Sequence, residues 1–241
     1  AITNNKITTN IGSTGITIYE NCKVKEITNN QFKDIKGTVI SITTKSTVTG
    51  KIAGNKITNG GSHGIFVYQD SKVGGLIEKN TITNVKSNGI HVSNTQKAVN
   101  ISNNKFSKVS CAIYMSASTK GGIYTNTYGK KVTKKLNLSG TSATNSTSKV
   151  SVKSVKSSAK KKATVKWKAV SGISGYEVQY STDKTFATGL KTKNVKAKAT
   201  SVTLKSLKSK KTYYVRVCSY KTVKGIKVYS SFSKVKKVKV K

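Results

Sequence analysis

The chain has 241 residues and carries 45 basic against 7 acidic side chains, a formal net charge of +38. It contains no run of 18 apolar residues, so the sequence predicts no membrane span. Forty-four of the 45 basic residues are lysine, whereas sequence-specific readers of nucleic acid rely on arginine to bind guanine. We therefore expect no sequence-specific binding of nucleic acid, and we expect electrostatic attraction to polysaccharide or another polyanion.

The first half of the chain is repetitive. An Ile-x-x-Asn-x-[Ile/Phe/Tyr] element recurs at intervals of 22 to 25 residues, starting at Ile2, Ile27, Ile52, Ile77, Ile101 and Ile123. A second element, two apolar residues around one variable position, follows each of the first five copies. A fixed period of this length predicts a solenoid, and the short alternating segments favour strands over helices.

One asparagine occupies the same phase of every repeat, at Asn5, Asn30, Asn55, Asn80, Asn104 and Asn126. A side-chain amide both donates and accepts, so stacked asparagines can form a structural ladder from coil to coil. Asparagine also tolerates the left-handed conformation that a corner requires, and we expect the column to supply it. The glycines before the second element, Gly15, Gly64 and Gly89, predict another tight corner.

The phrases NKITNGGSHGIFV and NTITNVKSNGIHV resemble the right-handed parallel β-helix repeats of the pectate lyase-like superfamily, over residues 1 to about 126. The resemblance implies an all-β solenoid of about five to six coils. That is short for the superfamily, so we expect the β-helix to be truncated at its N-terminus. The superfamily includes lyases, glycosidases, epimerases, phage tailspikes and adhesins, so the resemblance implies no single activity.

A second module follows residues 139–148, SGTSATNSTS, which the composition predicts to be a linker. TVKWKAVSGISGYEVQYS and LKSLKSKKTYYVRVCSY resemble a fibronectin type III domain over residues 149–241. The resemblance implies that Trp167 is the core tryptophan and that Leu207 and Tyr213 form a tyrosine corner. We predict a β-helix fragment at 1–138, a linker at 139–148 and a fibronectin type III-like β-sandwich at 149–241.

Candidate catalytic and metal-binding residues are sparse. Residues 1–145 hold five acids and no arginine, and no two acids share one column in adjacent coils. The sequence around His63 resembles the Gly-His-Gly element of polygalacturonases, but the paired aspartates expected beside it are absent, so we interpret His63 as a polar corner residue. The three cysteines lack metal-ligand spacing and are interpreted as small buried residues. We predict no catalytic residue, metal or cofactor, and the sequence leaves enzyme activity uncertain while favouring none for this fragment.

The outward position of the second element predicts the candidate ligand site. Three successive coils place Phe66, His91 and Tyr114 there, and Tyr68 and Asp70 follow in the same region. Aromatic rings on a surface rich in serine and threonine can stack on sugars, or they can lie beneath a neighbouring loop. Both interpretations stay open from the sequence.

Three hypotheses for function follow. The first is a non-catalytic fragment of a secreted or cell-surface bacterial protein that binds polysaccharide or anionic cell-wall polymer. The second is the C-terminal part of a polysaccharide lyase or glycoside hydrolase whose active coils lie upstream. The third is a structural protein that self-associates through the open end of the β-helix at Ile2.

Overall fold

The computed structural model describes residues 1–8, 14–95, 97–143 and 148–241. The described chain consists of β-strands and the turns between them. Within these ranges no helix is long and apolar enough to cross a membrane. The chain divides into two compact units, Ala1–Thr144 with Val223–Val228 and Asn145–Thr222 with Tyr229–Lys241.

The first unit is a parallel β-helix built from three columns of strands. The first column comprises Ile2–Thr3, Ile27–Thr28, Ile52–Ala53, Leu76–Glu78, Val99–Ser102 and Gly121–Ile123. The second comprises Lys6–Thr8, Thr14–Ile18, Gln31–Ile35, Thr38–Ile42, Lys56–Gly60, Ile65–Val67, Thr81–Val92, Lys105–Met115, Thr127–Tyr128 and Val132–Leu138. The third comprises Lys23–Val24, Thr47–Val48 and Lys72–Val73. The prediction of a parallel β-helix is confirmed.

Two aliphatic columns fill the interior of the β-helix. Parallel pairing aligns Ile2 with Ile27, and the same register continues through the first column to Ile123. In the second column it aligns Ile40, Ile65 and their counterparts. Because the side chains of each column are stacked at the strand spacing, nearly all of them are fully buried in one continuous core.

The asparagines of the repeat form a hydrogen-bonded ladder along this core. Asn30 Nδ2 donates to Asn55 Oδ1 at 3.0 Å, and Asn55 Nδ2 donates to Asn80 Oδ1 at 2.9 Å. Each acceptor oxygen also takes the backbone N–H of the preceding asparagine. The left-handed corner, however, is not at the ladder asparagine. It lies one residue earlier, at positions Asn4, Asn29, Gly54, Lys79 and Asn103, so our expectation for the ladder residues was wrong.

The glycines before the second element serve close packing and do not form left-handed turns. Neither Gly64 nor Gly89 has a positive φ, which corrects the expected tight corner. A Cβ on Gly64 would lie 2.5 Å from the Gly89 carbonyl oxygen, and one on Gly89 would lie 2.6 Å from Phe106 Cδ1. These positions therefore require glycine because neighbouring coils approach too closely for a side chain.

The predicted linker is in part regular structure. Residues Thr141–Ala143 form a strand that pairs antiparallel with Val132–Leu138. Residues 144–147 of the predicted linker lie outside the described residues. The hairpin therefore extends the β-helix unit beyond residue 138.

The second unit is a sandwich of antiparallel strands. One sheet holds Val152–Lys156, Ala163–Trp167 and Ser201–Leu204, and the other holds Gly175–Ser181, Lys191–Lys196, Thr212–Val223 and Lys236–Lys239. A further strand, Ile226–Tyr229, has its first three residues in the first unit and Tyr229 in the second.

The core of the sandwich matches the sequence prediction. Trp167 is 1% exposed and lies against Tyr176, with ring centroids 5.2 Å apart. The Tyr213 hydroxyl accepts a hydrogen bond from the backbone N–H of Lys208 at 3.1 Å, the geometry of a tyrosine corner. The fibronectin type III-like sandwich is confirmed.

The three cysteines are all free thiols, but they do not share one environment. Cys111 and Cys218 are buried, and burial raises the pKa of both thiols. Cys22 is exposed, so its predicted burial was wrong. It lies in the turn that follows Thr14–Ile18, where its backbone N–H donates to the Tyr19 carbonyl.

Candidate aromatic site on the β-helix

In the second column of strands, two neighbouring rows of outward-facing residues form one strip of surface. Pairing aligns Ser41 with Phe66, Phe66 with His91 and His91 with Tyr114. Backbone hydrogen bonds align the residues that follow each strand in the same way. We call these positions the lysine-free strip: Thr17, Ser41, Phe66, His91, Tyr114, Asn137, Tyr19, Thr43, Tyr68, Ser93, Ser116 and Ser139.

The composition of this strip departs from that of the rest of the chain. None of its twelve positions is lysine, although residues 1–145 contain 19 lysines. Two other outward-facing rows serve for comparison and carry four lysines in eleven positions. They are Lys6, Gln31, Lys56, Thr81, Lys105 and Thr127 in one row and Thr8, Lys33, Thr58, Thr83 and Ser107 in the other. The strip is therefore a neutral polar and aromatic surface on a cationic protein.

Four rings of the strip, Tyr68, Phe66, His91 and Tyr114, form a continuous ring cluster with the adjacent His63. Phe66 stacks on His63 with centroids 5.1 Å apart and on Tyr68 at 5.5 Å. His91 meets the edge of Phe66 at 5.0 Å and lies 4.4 Å from Tyr114. Four of the five predicted site residues thus come together, and His63 joins them.

The rings of the cluster differ in how much surface they offer a ligand. Phe66 stacks nearly parallel on both of its neighbours, at interplanar angles of 16° and 25°, and is only partly exposed. Tyr68 is 36% exposed at the end of this stack, and Tyr19, two coils away on the same line, is 50% exposed. The buried part of the cluster therefore holds Tyr68 in place, while Tyr68 and Tyr19 carry the accessible rings.

Hydrogen bonds fix both histidines as neutral rings. Asn88 Nδ2 donates to His91 Nδ1 at 3.0 Å, which leaves the Nε2–H of His91 to donate to Ser93 Oγ at 3.2 Å. The backbone N–H of Asn88 donates to His63 Nδ1. Burial lowers the pKa of His63, and burial together with the neighbouring His63 lowers the pKa of His91 to about 4. The cluster is uncharged at neutral pH.

The five acidic residues of the β-helix are scattered, with Asp34 and Glu78 in strands and the other three between strands. Asp70, the fifth predicted site residue, has a φ of 59° and donates its backbone N–H to the Asn94 carbonyl at 2.7 Å. Asp34 accepts a hydrogen bond from Asn59 Nδ2 and lies 3.8 Å from the Lys33 ammonium. In the part of the chain that the structure describes, no group of three His, Cys, Asp or Glu side chains is arranged to hold a metal ion.

His63 was missed as a member of the site because the strand alternation is interrupted beside it. Gly64 and Ile65 are both buried, as are Val39 and Ile40 one coil earlier. Two consecutive inward residues reverse the alternation, so His63 faces outward next to Phe66. The repeated apolar or glycine residue directly before the second element was the sequence signal for this irregularity.

Comparisons with known proteins agree with this architecture. The family described as "Right handed beta helix region" matches residues 1–154 and 39–186, and the family described as "Fibronectin type III domain" matches residues 145–234. The chain therefore belongs to the right-handed β-helix family and carries a fibronectin type III domain after the solenoid. None of the curated proteins matches the chain.

Two solved structures are similar to part of the chain. The FN1–FN3 domains of chicken CNTN1 share 23% identity over 38% of this chain, with a TM-score of 0.32, and the match spans only 29% of that structure. An Fn3-like protein from Clostridium thermocellum shares 18% identity over 40% of this chain and 93% of its own length, also with a TM-score of 0.32. Both kinds of domain are often extracellular, and their combination is consistent with a surface or carbohydrate-related protein.

Proposed function

We propose that this chain is a non-catalytic, polysaccharide-binding part of a secreted or cell-surface bacterial protein, and that the lysine-free strip is its binding surface. The observation that carries the proposal is the contact of four rings, those of Tyr68, Phe66, His91 and Tyr114, on the lysine-free strip, with His63 packed beside them. An aromatic ring offers an apolar face to the C–H face of a sugar, and a tyrosine also offers a hydroxyl. Rings gathered on a polar surface are typical of an interaction site.

The spacing of the exposed rings supports a chain-like ligand. Tyr19 and Tyr68 lie two coils apart, which corresponds to about 9–10 Å along the solenoid axis. Thr44 and Gln69 lie beside this line, with Thr44 Oγ1 donating to Gln69 Oε1 at 3.1 Å. A polysaccharide running along the axis would stack on both tyrosines and exchange hydrogen bonds with amide and hydroxyl groups between them.

The charge pattern favours an uncharged polysaccharide at the strip. Every residue of the strip is neutral, and both histidines of the ring cluster remain neutral at pH 7 because burial lowers the pKa of each. An acidic polymer would gain more from the lysines on the neighbouring columns than from this surface. The lysines elsewhere would attract polyanions in a general, salt-sensitive way.

Affinity electrophoresis in gels that contain uncharged polysaccharides tests the proposal. We expect the intact chain to be retarded by at least one of them, and we expect Tyr68→Ala to abolish the retardation. Leu190→Ala is the matched control, because Leu190 is 43% exposed but lies in the sandwich. Equal retardation of the two variants, or no retardation of the unaltered chain by any polysaccharide, would refute the strip as a binding surface.

A further inference from the structure

The second unit has a large excess of positive charge, and its two carboxylate side chains are both engaged in hydrogen bonds. Residues 146–222 and 229–241 hold 23 lysines and Arg216 against only two acidic residues, Glu177 and Asp183. Two carboxylates offset only a small part of this positive charge.

Glu177 is enclosed on the outer face of the larger sheet. It is 5% exposed and accepts hydrogen bonds from Gln179 Nε2 at 2.8 Å and from the Tyr229 hydroxyl at 3.1 Å. Gln179 in turn accepts from Arg216 Nε at 2.8 Å. The Arg216 guanidinium lies 4.1 Å from the ring centroids of both Phe186 and Phe232, so the single arginine is part of the same packed network.

The Asp183 carboxylate accepts hydrogen bonds from its own loop. Its two carboxylate oxygens accept the backbone N–H groups of Thr185, Ala187 and Thr188 at 2.8 to 3.0 Å. The hydroxyl and N–H of Thr185, followed by the N–H of Thr188, hold the pKa of this carboxyl below its usual range. Both acidic side chains are thus engaged in local structure.

Three lysines of the second unit line a groove on its surface. A groove of about 370 Å³ is lined by Lys149, Lys234 and Lys236, with Val150 and Val152 among its remaining wall residues. All three lysines are exposed, whereas Val150 is 2% exposed and forms part of the core. A cleft lined by one sign of charge focuses the electrostatic potential, so this groove attracts anions more strongly than a flat lysine surface does.

The groove lies beside two strand edges. Among the described residues, Val152–Lys156 pairs only with Ala163–Trp167, and Lys236–Lys239 pairs only with Thr212–Val223. Beside the groove Val235 is 45% exposed, which adds apolar surface between Lys234 and Lys236. An extended ligand can therefore lie along the edges with apolar groups against valine and charged groups against the ammonium groups.

We propose that this groove is a binding site for an acidic polysaccharide that bears carboxylate or sulfate groups. Sugar rings supply the apolar face that the partly exposed Val152 accepts, and their anionic substituents pair with Lys149, Lys234 and Lys236. This site is separate from the lysine-free strip and differs from it in ligand class. Loss of one leaves the other intact, so the two proposals fail independently.

Calorimetric titration of the full chain with heparin at 0.15 M salt tests the assignment. The variant Lys149→Gln/Lys234→Gln/Lys236→Gln should bind heparin at least tenfold more weakly than the unaltered chain. The matched control is Lys191→Gln/Lys196→Gln/Lys198→Gln, which removes the same charge from exposed lysines at the strand edge Lys191–Lys196. It should weaken binding less than threefold. Equal weakening by the two variants would overturn the groove in favour of a diffuse lysine surface.

Two further measurements test whether the variant still folds and whether the groove requires sugar rings in its ligand. The variant Lys149→Arg/Lys234→Arg/Lys236→Arg keeps the charge and should retain heparin affinity within threefold, which separates lost binding from lost folding. Polyphosphate, which has charge but no sugar rings, should lose less than threefold affinity when the groove lysines become glutamine. A tenfold loss for polyphosphate as well would show that the groove binds charge alone and would overturn the assignment to polysaccharide.

Discussion

Asn55 Nδ2 donates to Asn80 Oδ1 across the 25-residue interval that separates successive coils, at 2.9 Å and away from solvent. The same Asn55 amide donates to the Ile27 carbonyl at 3.0 Å. One side chain therefore joins three successive coils. Hydrogen bonds of this kind, repeated from coil to coil, hold the solenoid in register.

Replacing Asn55 by leucine should destabilise the β-helix. The change leaves both Asn30 donors without their acceptor, and buried unsatisfied groups cost about 1–3 kcal/mol each. Asn5→Leu is the control, because Asn5 is exposed at the first coil and should cost much less. Urea denaturation followed by circular dichroism measures both. Equal midpoints for Asn55→Leu and the unaltered chain would show that the ladder contributes no stability.

Gly89→Ala should destabilise the β-helix by about 1–3 kcal/mol, the usual cost of overpacking a core. The added Cβ would lie 2.6 Å from the Phe106 ring and 2.8 Å from the Ala112 carbonyl oxygen. Gly129→Ala is the control, since its Cβ would come no closer than 3.2 Å to a neighbouring atom. Thermal denaturation compares the two, and a Gly89→Ala chain as stable as the control would contradict the packing argument.

The ring cluster should make the β-helix less stable in mild acid. The pKa of His91 falls from 6.5 in the unfolded chain to about 4 in the folded one, so the unfolded state binds protons first. Stability is therefore complete above pH 6.5 and is lost as the pH falls toward 4. His91 is only half-buried, so solvent screening limits the loss to about 1–2 kcal/mol.

The variant His63→Gln/His91→Gln isolates this effect. Urea denaturation at pH 7 and pH 4.5 should show a smaller difference in unfolding free energy for the variant than for the unaltered chain. The same pH dependence in both would place the responsible groups outside the ring cluster.

Tyr213→Phe should destabilise the sandwich by about 0.5–1.5 kcal/mol, the net contribution of one hydrogen bond, because the backbone N–H of Lys208 loses its acceptor. Tyr214→Phe is the control on the same strand, where the ring is only partly buried. Trp167 fluorescence during denaturation measures the sandwich directly, since Trp167 is the sole tryptophan and is buried there. Identical midpoints for the two variants would refute the tyrosine corner as a stabilising contact.

The sequence was sufficient for the solenoid because its information is periodic. Ile52 and Ile77, a fixed interval apart, must stack if the period is structural, and they do. Features that depend on local backbone conformation within a coil could not be predicted from the repeat. The left-handed corner falls on Asn29 and not on Asn30, because the ladder amide must point inward. His63 joins the ring cluster only because the doublet of Gly64 and Ile65 interrupts the alternation.

The sequence predicted which rings belong to the candidate site, but it did not predict which of them are exposed. The sequence left open whether Phe66 contacts a ligand or is covered by neighbouring groups, and in the structure it stacks on His63 and Tyr68. Alternation along one strand tells which side a residue occupies, but it does not tell how rings from adjacent positions orient. Which ring stays accessible depends on those orientations, so Tyr68 and Tyr19 emerge as the exposed pair only in three dimensions.

The salt dependence of polysaccharide binding tests the central proposal most directly. Calorimetric titration of the full chain with the uncharged polysaccharide that retards it should give the same affinity within twofold at 0.1 M and 1 M salt. The Debye length shortens from about 10 Å to about 3 Å across this range, so contacts made by exposed lysines would be lost while stacking on Tyr68 and Tyr19 would persist. An affinity that falls more than tenfold in 1 M salt would place the binding on the lysine surface and contradict the lysine-free strip.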